Sequence, residues 1–568
     1  MAIQRPKKIR LGDLLVEKEA ITEEQLLAAL DAQKSTGNKL GRELIESGYI
    51  TEDQLLNILA RQLNIEFIDI NNYAIAPEIV KKIPEVQARR FRALALAEEP
   101  DYILIGMADP TNIFAYDEIS RLVGKPINLA VIKEDDLLKM LDSVYRRTAD
   151  INNFAAELGQ QISSVESATT NQTVNEGVAD APVVKLLQTV LEDAVQVNAS
   201  DIHIEPDINE LRIRFRIDGT LRVQSTTDHR IAGALISRLK LMSGLDISEK
   251  RLPQDGRFHL DINGDRIDVR LSTLPLPDGE AAVMRLLNQS AGILNVDQLG
   301  MPDELTTTVR KIARSPHGLM LVTGPTGSGK TTTLYALLSE LNDPEVKIIT
   351  IEDPVEYRLS GVNQVQVNPK VELTFSKVLR SVLRQDPDVV LIGEMRDKET
   401  IEIGLRASMT GHFVMSTLHT NDAISSALRL IDMGAEPYLI AGALRGILAQ
   451  RLIRRVCASC TVNDTLDAVT KLMLEDMNEE ARDVTFKRGS GCRACNNTGF
   501  QGRIGIYEFL EMDAELIEIL HGGDLMGFSK MARSRPNFKP LKQSAFELAV
   551  KGITTVDEVL KIGYGMEI

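Results

Sequence analysis

Residues 317–342, HGLMLVTGPTGSGKTTTLYALLSELN, decide the fold class of this 568-residue chain. An apolar run leads into a glycine-rich turn, and a run with helical spacing follows it. In such a turn the backbone amides surround phosphate groups, the lysine reaches the β and γ phosphates, and the next hydroxyl ligates Mg²⁺. The stretch therefore predicts a P-loop that binds ATP and Mg²⁺ through Gly324, Pro325, Thr326, Gly327, Ser328, Gly329, Lys330, Thr331 and Thr332.

Three later strand-like runs end in polar residues: KIITIEDPVEY (347–357), DVVLIGEMRD (388–397) and GHFVMSTLHTND (411–422). Such endings are expected where a site lies beyond the carboxyl ends of a parallel sheet. Because ATP hydrolysis needs a carboxylate that orients water, Glu394 and Glu356 are candidates for metal support and water activation. The alternative for each of these two residues is an ordinary surface carboxylate at the end of a strand, without a role in catalysis. His412 and His419 are predicted to share a loop and to sense phosphate.

Arginines supply the remaining candidates, because they stabilise the charge that spreads in phosphoryl transfer. In the strand-like run LRIRFRI (211–217), side chains alternate, so Arg212, Arg214 and Arg216 share the face opposite the apolar residues. That face is either solvated and paired with acids or directed at a neighbouring subunit's anionic ligand. The candidates are Arg214, Arg230, Arg380 and Arg384, and the last two are four residues apart and predicted to share a helix face.

The only four cysteines form two CxxC pairs, Cys457 with Cys460 and Cys492 with Cys495. Paired thiolates at this spacing close a tetrahedral Zn²⁺ site, and four sulfurs leave no position open for catalysis. The pattern predicts a structural zinc insert over residues 457–495, and a redox dithiol, which needs only one pair, is the alternative.

Composition limits the partners. A net charge of -16 and the absence of tryptophan argue against a stable nucleic-acid partner, because phosphate-backbone binding needs a basic surface. No run approaches the roughly 20 apolar residues of a membrane span, and MAIQRPKKIR lacks the apolar core of a secretory signal. We expect a cytoplasmic protein that reaches a membrane only through partners.

The chain opens with a repeat. RLGDLLVEKEAITEEQLLAALDAQ (10–33) and KLGRELIESGYITEDQLLNILARQ (39–62) agree at 12 of 24 positions. Thr22 with Gln25, and Thr51 with Gln54, each form a predicted capping box, and Ile21 and Ile50 are placed as hydrophobic staples. Helix capping explains the middle of both copies but not their ends.

The rest of the chain divides by composition and periodicity. Residues 1–70 hold the helical repeat, 71–147 alternate strand-like and helical runs, and 148–180 are polar enough to predict a flexible linker. A smaller α/β domain is predicted at 181–290 and the P-loop domain at 300–568. The expected fold class is therefore α/β multidomain.

In order, the motifs SDIHIEP, RIDG, KRLPQDGR, GPTGSGKT, IEDPVE, GEMRD, STLHTND, AQRL and the tetracysteine insert resemble those of the secretion and type IV pilus assembly ATPases. The resemblance covers residues 180–568. It implies a homohexameric ring, a RecA-like motor domain with a preceding PAS-like domain, and an inner-membrane platform protein as partner. It places Glu356, Glu394 and His419 in boxes around the nucleotide.

The opening repeat is similar to the MshE-type domain, whose double motif binds cyclic di-GMP. The matching positions are Arg10, Leu11, Gly12, Leu26, Leu30 and Gln33, then Lys39, Leu40, Gly41, Leu55, Leu59 and Gln62. Lys39 keeps the positive charge but lacks the planar guanidinium that stacks on a base. A helical docking module without nucleotide is the alternative.

Three functions follow as hypotheses. The first is a motor ATPase that extends a type IV pilus of the mannose-sensitive haemagglutinin kind under cyclic di-GMP control. The second assigns the same ATPase to type II protein secretion. The third is an ATP-gated scaffold that docks on a membrane platform without significant hydrolysis.

Overall fold

A computed structural model describes residues 12–563 except 13–14, 17, 19, 37–39, 64, 71–72, 74, 76, 81, 145–150, 152, 161–179, 263, 289–291, 293 and 478–483. The chain divides into two compact units. The first comprises residues 1–151 with 492–497, and the second comprises residues 152–491 with 498–568.

The first unit begins with three helices, α1 (Glu23–Thr36), α2 (Leu40–Glu46) and α3 (Glu52–Leu63). Both predicted capping boxes are confirmed. The Thr22 amide donates to Gln25 Oε1 at 2.9 Å and the Gln25 amide to Thr22 Oγ1 at 3.2 Å. Thr51 and Gln54 exchange the same bonds at 3.0 and 3.3 Å. The stapling residues Ile21 and Ile50 are buried in one apolar cluster.

A four-stranded sheet follows in the same unit, in the order β1-β4-β3-β2. Its strands are β1 (Glu66–Phe67), β2 (Ala93–Glu98), β3 (Ile103–Met107) and β4 (Ile127–Val131). The accompanying helices are α4 (Pro77–Val80), α5 (Glu85–Phe91), α6 (Ile113–Val123) and α7 (Glu134–Val144). Their apolar faces form a single buried core with strands β2, β3 and β4.

The second unit contains helix α8 (Asp180–Gln196) and a six-stranded antiparallel sheet in the order β7-β6-β5-β10-β9-β8. The strands are β5 (Asp201–Pro206), β6 (Glu210–Ile217), β7 (Thr220–Asp228), β8 (Gln254–Ile262), β9 (Asp265–Leu276) and β10 (Gly279–Asn288), and α9 spans Ala232–Met242. The alternation predicted for β6 is confirmed, because Leu211, Ile213 and Phe215 are fully buried.

A buried ion pair joins helix α9 to strand β10 in this part of the chain. Lys240 Nζ lies 2.5 Å from Glu280 Oε1, and the two side chains are 1% and 8% exposed. Lys240 also donates to the Glu249 carbonyl at 2.6 Å. The lysine charge is thus compensated and hydrogen-bonded, as a charge removed from water must be.

The P-loop belongs to a seven-stranded sheet in the order β13-β12-β14-β15-β11-β16-β19. All neighbours are parallel except β16 and β19, which run antiparallel. The strands are β11 (Gly318–Thr323), β12 (Ile348–Glu352), β13 (Asn363–Gln366), β14 (Val389–Ile392), β15 (Phe413–Leu418), β16 (Leu444–Val456) and β19 (Phe500–Glu511). Four central strands are wholly buried, as expected of parallel strands covered on both faces.

Helices cover the seven-stranded sheet and complete the chain. They are α10 (Asp303–Ala313), α11 (Lys330–Leu341), α12 (Phe375–Val382), α13 (Lys398–Met409), α14 (Ala423–Asp432), α15 (Pro437–Ala443), α16 (Ala468–Met477), α17 (Ala514–His521), α18 (Leu525–Arg533), α19 (Leu541–Val550) and α20 (Val556–Gly563). Between α15 and β19 in the chain, strands β17 (Thr461–Asn463) and β18 (Lys487–Gly489) form a two-stranded antiparallel sheet, with helix α16 in the connection between them. Among the described helices, none is both long and apolar enough to span a bilayer.

Candidate functional site

The predicted P-loop joins strand β11 to helix α11. Gly324, Gly327 and Gly329 have φ angles of 148°, 81° and 89°, a left-handed region that favours glycine. The Ser328 hydroxyl is buried and has no hydrogen-bond partner among the residues that the structure describes. A hydroxyl left in this position fits the oxygen of a bound phosphate, so the loop has the form that the sequence predicts.

Lys330 begins helix α11 and points back into the loop. Its Nζ donates to the Gly324 carbonyl at 2.7 Å and to the Pro325 carbonyl at 3.0 Å. Burial lowers the pKa of Lys330 to about 8, against the opposing effect of the nearby Glu394 carboxylate. Two neutral carbonyl oxygens therefore hold the Lys330 ammonium group, and the negative charge of a bound phosphate would stabilise its protonated form.

Gln450 on strand β16 supports this loop, and its part was not predicted from the sequence. A Cβ at Gly324 would lie 2.3 Å from the Gln450 carbonyl oxygen, and one at Gly329 would lie 2.8 Å from Gln450 Nε2. The Thr333 hydroxyl donates to Gln450 Oε1 at 2.7 Å in a buried contact. The glycines thus serve close packing against Gln450 as well as phosphate binding.

Glu394 follows strand β14 at the carboxyl edge of the sheet, and its charge acts on Lys330 there. Its carboxylate is 12% exposed, lies 2.5 Å from Arg396 Nη2 and 3.6 Å from His419 Nε2. Burial lowers the pKa of His419, the Lys330 charge acts in the same direction, and Glu394 opposes both. Lys330, Glu394, Arg396 and His419 therefore form one charged cluster, in which Arg396 was not predicted.

The prediction that His412 and His419 share a loop is wrong. Strand β15 (Phe413–Leu418) separates them, so the two histidines lie at opposite ends of the strand, roughly 23 Å apart along an extended chain. His412 Nδ1 instead lies 3.1 Å from the Ala407 carbonyl oxygen. Only His419 stands at the carboxyl end, beside the P-loop cluster.

Glu356 does not join this cluster in the structure. Its Oε2 lies 2.7 Å from Arg270 Nη2 and its Oε1 accepts from Arg270 Nη1 at 3.2 Å. Arg270 is on strand β9 of the six-stranded sheet, so this ion pair links the two sheets of the second unit. Glu352, the buried carboxylate of this run, accepts hydrogen bonds from Tyr335, Thr350 and Gln364.

The other candidate arginines all have carboxylate or carbonyl partners within the second unit. Arg214 pairs with Glu205, and Arg230 Nε donates to both Asp228 oxygens at 3.0 Å, which lowers the pKa of Asp228 to about 2. Arg380 pairs with Glu399. Helix α12 ends at Val382, so Arg384 does not share a helix face with Arg380 as predicted; it donates to the Arg380 carbonyl at 2.7 Å.

The four cysteines meet, as predicted. Their sulfur atoms all lie within 4.8 Å of one another, and Cys492 Sγ lies 3.7 Å from Cys495 Sγ. Four thiolates about 2.3 Å from a zinc ion would have their sulfurs about 3.8 Å apart, so the arrangement fits a tetrahedral site. Gly489 and Gly499 allow the chain to cross itself here, because a Cβ at Gly489 would lie 2.0 Å from the Gly499 carbonyl oxygen.

The predicted cyclic di-GMP contacts lie in the first unit. Arg10, Leu11 and Lys39 are outside the described residues, and the Leu59 side chain is not described. Gly12 packs against Leu26, since a Cβ at Gly12 would lie 2.6 Å from Leu26 Cδ1. The remaining positions are Leu30 and Gln33 on α1, Leu40 and Gly41 on α2, and Leu55 and Gln62 on α3.

A glycine-rich loop with a buried lysine, and a carboxylate whose charge acts on that lysine, lie at the carboxyl edge of a parallel sheet and define a P-loop nucleotide-binding protein. Residues 176–561, more than half of the chain, match the sequence model described as "Type II/IV secretion system protein". The chain belongs to that family, whose named relatives include ATPases. Residues 63–151 match the model described as "MshEN domain".

Three known proteins illustrate the similarity. The type IV pilus assembly ATPase PilB of Myxococcus xanthus is 38% identical over 97% of this chain and 98% of its own length. The type II secretion system protein E of Pseudomonas aeruginosa is 40% identical over 85% of this chain and 96% of its own. The Legionella pneumophila ATPase DotB, 22% identical, shares the fold with a TM-score of 0.50 over 67% of this chain and 96% of its own.

The lowered pKa of Lys330 predicts that ATP binding takes up protons. Phosphate charge favours the ammonium form, so a lysine with a pKa of about 8 gains about half a proton at pH 8 but only about a tenth at pH 7 when ATP binds. Titration calorimetry in buffers of different ionisation enthalpy measures this uptake. Replacing the exposed Lys311 by Met should leave it unchanged, and an uptake equal at pH 7 and pH 8 would contradict the prediction.

Proposed function

We propose that the chain is a motor ATPase that extends a type IV pilus of the mannose-sensitive haemagglutinin kind, working as a homohexamer on an inner-membrane platform protein. The observation that supports ATP turnover best is the P-loop lysine beside Glu394 at the carboxyl edge of the sheet. The relative named for pilus assembly aligns with nearly the whole chain, including the amino-terminal unit.

Type II protein secretion is the second candidate, because the Pseudomonas relative named for that system is as similar over the part it covers. The two candidates share the motor and differ in the filament that it assembles. Deleting the chain's gene and scoring surface pili against secreted enzymes separates them. Loss of pili with normal secretion supports extension of a pilus, and the reverse result supports secretion.

Each residue of the site has a proposed task. The P-loop amides, Ser328 and Lys330 bind the phosphates, and Thr331 with Glu394 would hold Mg²⁺, which offsets charge on the γ-phosphoryl group. Glu356 orients the attacking water once its carboxylate leaves Arg270, since both of its oxygens contact that guanidinium and are not available to water. His419 contacts the γ-phosphate, and Arg214 and Arg230 stabilise transition-state charge after leaving Glu205 and Asp228.

Substitutions at the P-loop cluster should abolish hydrolysis. We expect Lys330→Ala and Glu394→Gln to lower kcat at least about 100-fold, because each removes a group that binds phosphate or metal in the transition state. Glu345→Gln, an exposed carboxylate in the same domain, is the control and should retain full activity. Steady-state phosphate release from the purified protein gives the rates, and unchanged turnover in Lys330→Ala would favour the ATP-gated scaffold.

We further propose that the amino-terminal repeat binds cyclic di-GMP. Two copies of one motif match a ligand with two guanines and two phosphates. The MshEN match covers residues 63–151, which directly follow the repeat, so the support for the repeat itself is its paired motif. The capping boxes hold α1 and α3, while Arg10 and Lys39 supply charge for the phosphates.

Leucines on helix α1 offer a matched test of that ligand. Leu30→Ala should weaken cyclic di-GMP binding roughly tenfold, because the substitution removes an apolar contact with the ligand. A tenfold increase in Kd corresponds to a loss of about 1.4 kcal/mol of binding free energy. Leu27→Ala, whose side chain is 64% exposed and outside the motif positions, should bind as the unmodified chain does. Calorimetric titration of the full chain measures both, and equal losses in the two variants would contradict a motif-specific site.

The tetracysteine cluster is proposed to hold one structural Zn²⁺. Cys460→Ser should reduce bound zinc from roughly one equivalent per chain to well below half, since three thiolates bind the ion less tightly than four. Metal analysis by mass spectrometry measures the content, and Ser459→Ala, between the two ligands of the first pair, serves as the control. Full zinc content in Cys460→Ser would refute this assignment.

A further inference from the structure

A polar cavity of about 730 Å³ lies between the two sheets of the second unit, apart from the P-loop. One wall is the charged face of the β8–β9 hairpin, and the other is the segment from the end of β12 to β13. The charged and ionisable residues that line it are Arg257, His259, Arg266, Asp268, Glu356 and Arg358. Its volume falls within the roughly 300–1,000 Å³ of small-molecule sites.

Two arginines stand directly opposite each other on the hairpin wall. Arg257 on β8 pairs in register with Arg270 on β9. Like charges at such a position destabilise a sheet unless an anion lies between them. Glu356 provides one carboxylate, and both of its oxygens contact Arg270, so Arg257 is left without an ion-pair partner among the described residues.

The second carboxylate on the wall is also engaged. Asp268 Oδ1 lies 3.1 Å from His259 Nδ1. On the opposite wall Arg358 is exposed, and the described part of the chain offers it no carboxylate within ion-pair distance. Three arginines, Arg257, Arg266 and Arg358, therefore line a cavity with two carboxylates, of which Glu356 contacts Arg270 and Asp268 contacts His259.

We propose that this cavity binds a phosphate-bearing anion through Arg257 and Arg358. Guanidinium groups bind phosphate in bidentate fashion, and two of them on facing walls would hold one phosphate group between them. The phosphate is either free inorganic phosphate or the terminal phosphate of a nucleotide. None of its lining residues comes from Gly324 to Thr332, but Glu356, to which we assign the attacking water, lies on its wall, so the bound anion would lie beside that catalytic carboxylate.

Binding to the full chain carrying Lys330→Ala tests the proposal, since that background weakens phosphate binding at the P-loop and prevents turnover. Inorganic phosphate and ADP are titrated separately by calorimetry. We expect at least one of them to bind, and adding Arg257→Gln or Arg358→Gln should weaken that binding about tenfold or more. Binding of phosphate identifies the free anion as the ligand, and binding of ADP alone identifies a nucleotide.

Arg212→Gln is the matched control, because Arg212 is an exposed arginine on strand β6 of the same sheet, and it pairs with Asp207 and Glu210 outside the cavity. Arg257→Lys should give an intermediate affinity, since it keeps the charge and loses the planar fork. Equal thermal melting of all variants excludes misfolding. Absence of binding by both probes, or affinities unchanged by the two cavity substitutions, overturns the proposal, whereas ATP hydrolysis is tested separately by phosphate release from the Lys330→Ala and Glu394→Gln variants.

Discussion

The contact between the P-loop backbone and Gln450 sets the geometry on which the rest of the site depends. Strand β16 pairs in parallel with β11, with Ala449 opposite Thr323, and this register brings Gln450 against the glycines of the loop. Any side chain at Gly324 would collide with the Gln450 carbonyl oxygen, so this position requires glycine. The turn that leads to Lys330 at the start of α11 depends on this packing.

Features decided within a few residues could be predicted from the sequence. Thr22 and Gln25 lie three residues apart, and their two hydrogen bonds need nothing beyond the first helical turn. The P-loop and the alternation of β6 depend on local conformation and on the period of a strand in the same way. The cysteine cluster was predictable because two CxxC pairs in one chain are typical of a four-thiolate metal site.

Features that join distant parts of the chain could not be predicted from the sequence. Arg270 and Glu356 are 86 residues apart, and nothing near either one indicates that the hairpin of one sheet faces the loop of another. His412 and His419 are close in sequence, but the strand β15 between them, Phe413–Leu418, places them at opposite ends of the strand. The pairing of Arg214 with Glu205 likewise depends on the register of β5 against β6, which periodicity alone leaves open.

The buried pair of Lys240 and Glu280 restricts how this sequence can diverge. Replacing either residue alone leaves a charge inside the protein, which costs roughly 3–5 kcal/mol, whereas two apolar residues of similar volume would be tolerated. A lineage can therefore exchange the pair only through a poorly folding intermediate or by near-simultaneous substitution. Positions 240 and 280 should consequently covary among relatives, and the ionic form should persist long after it has ceased to be the most stable choice.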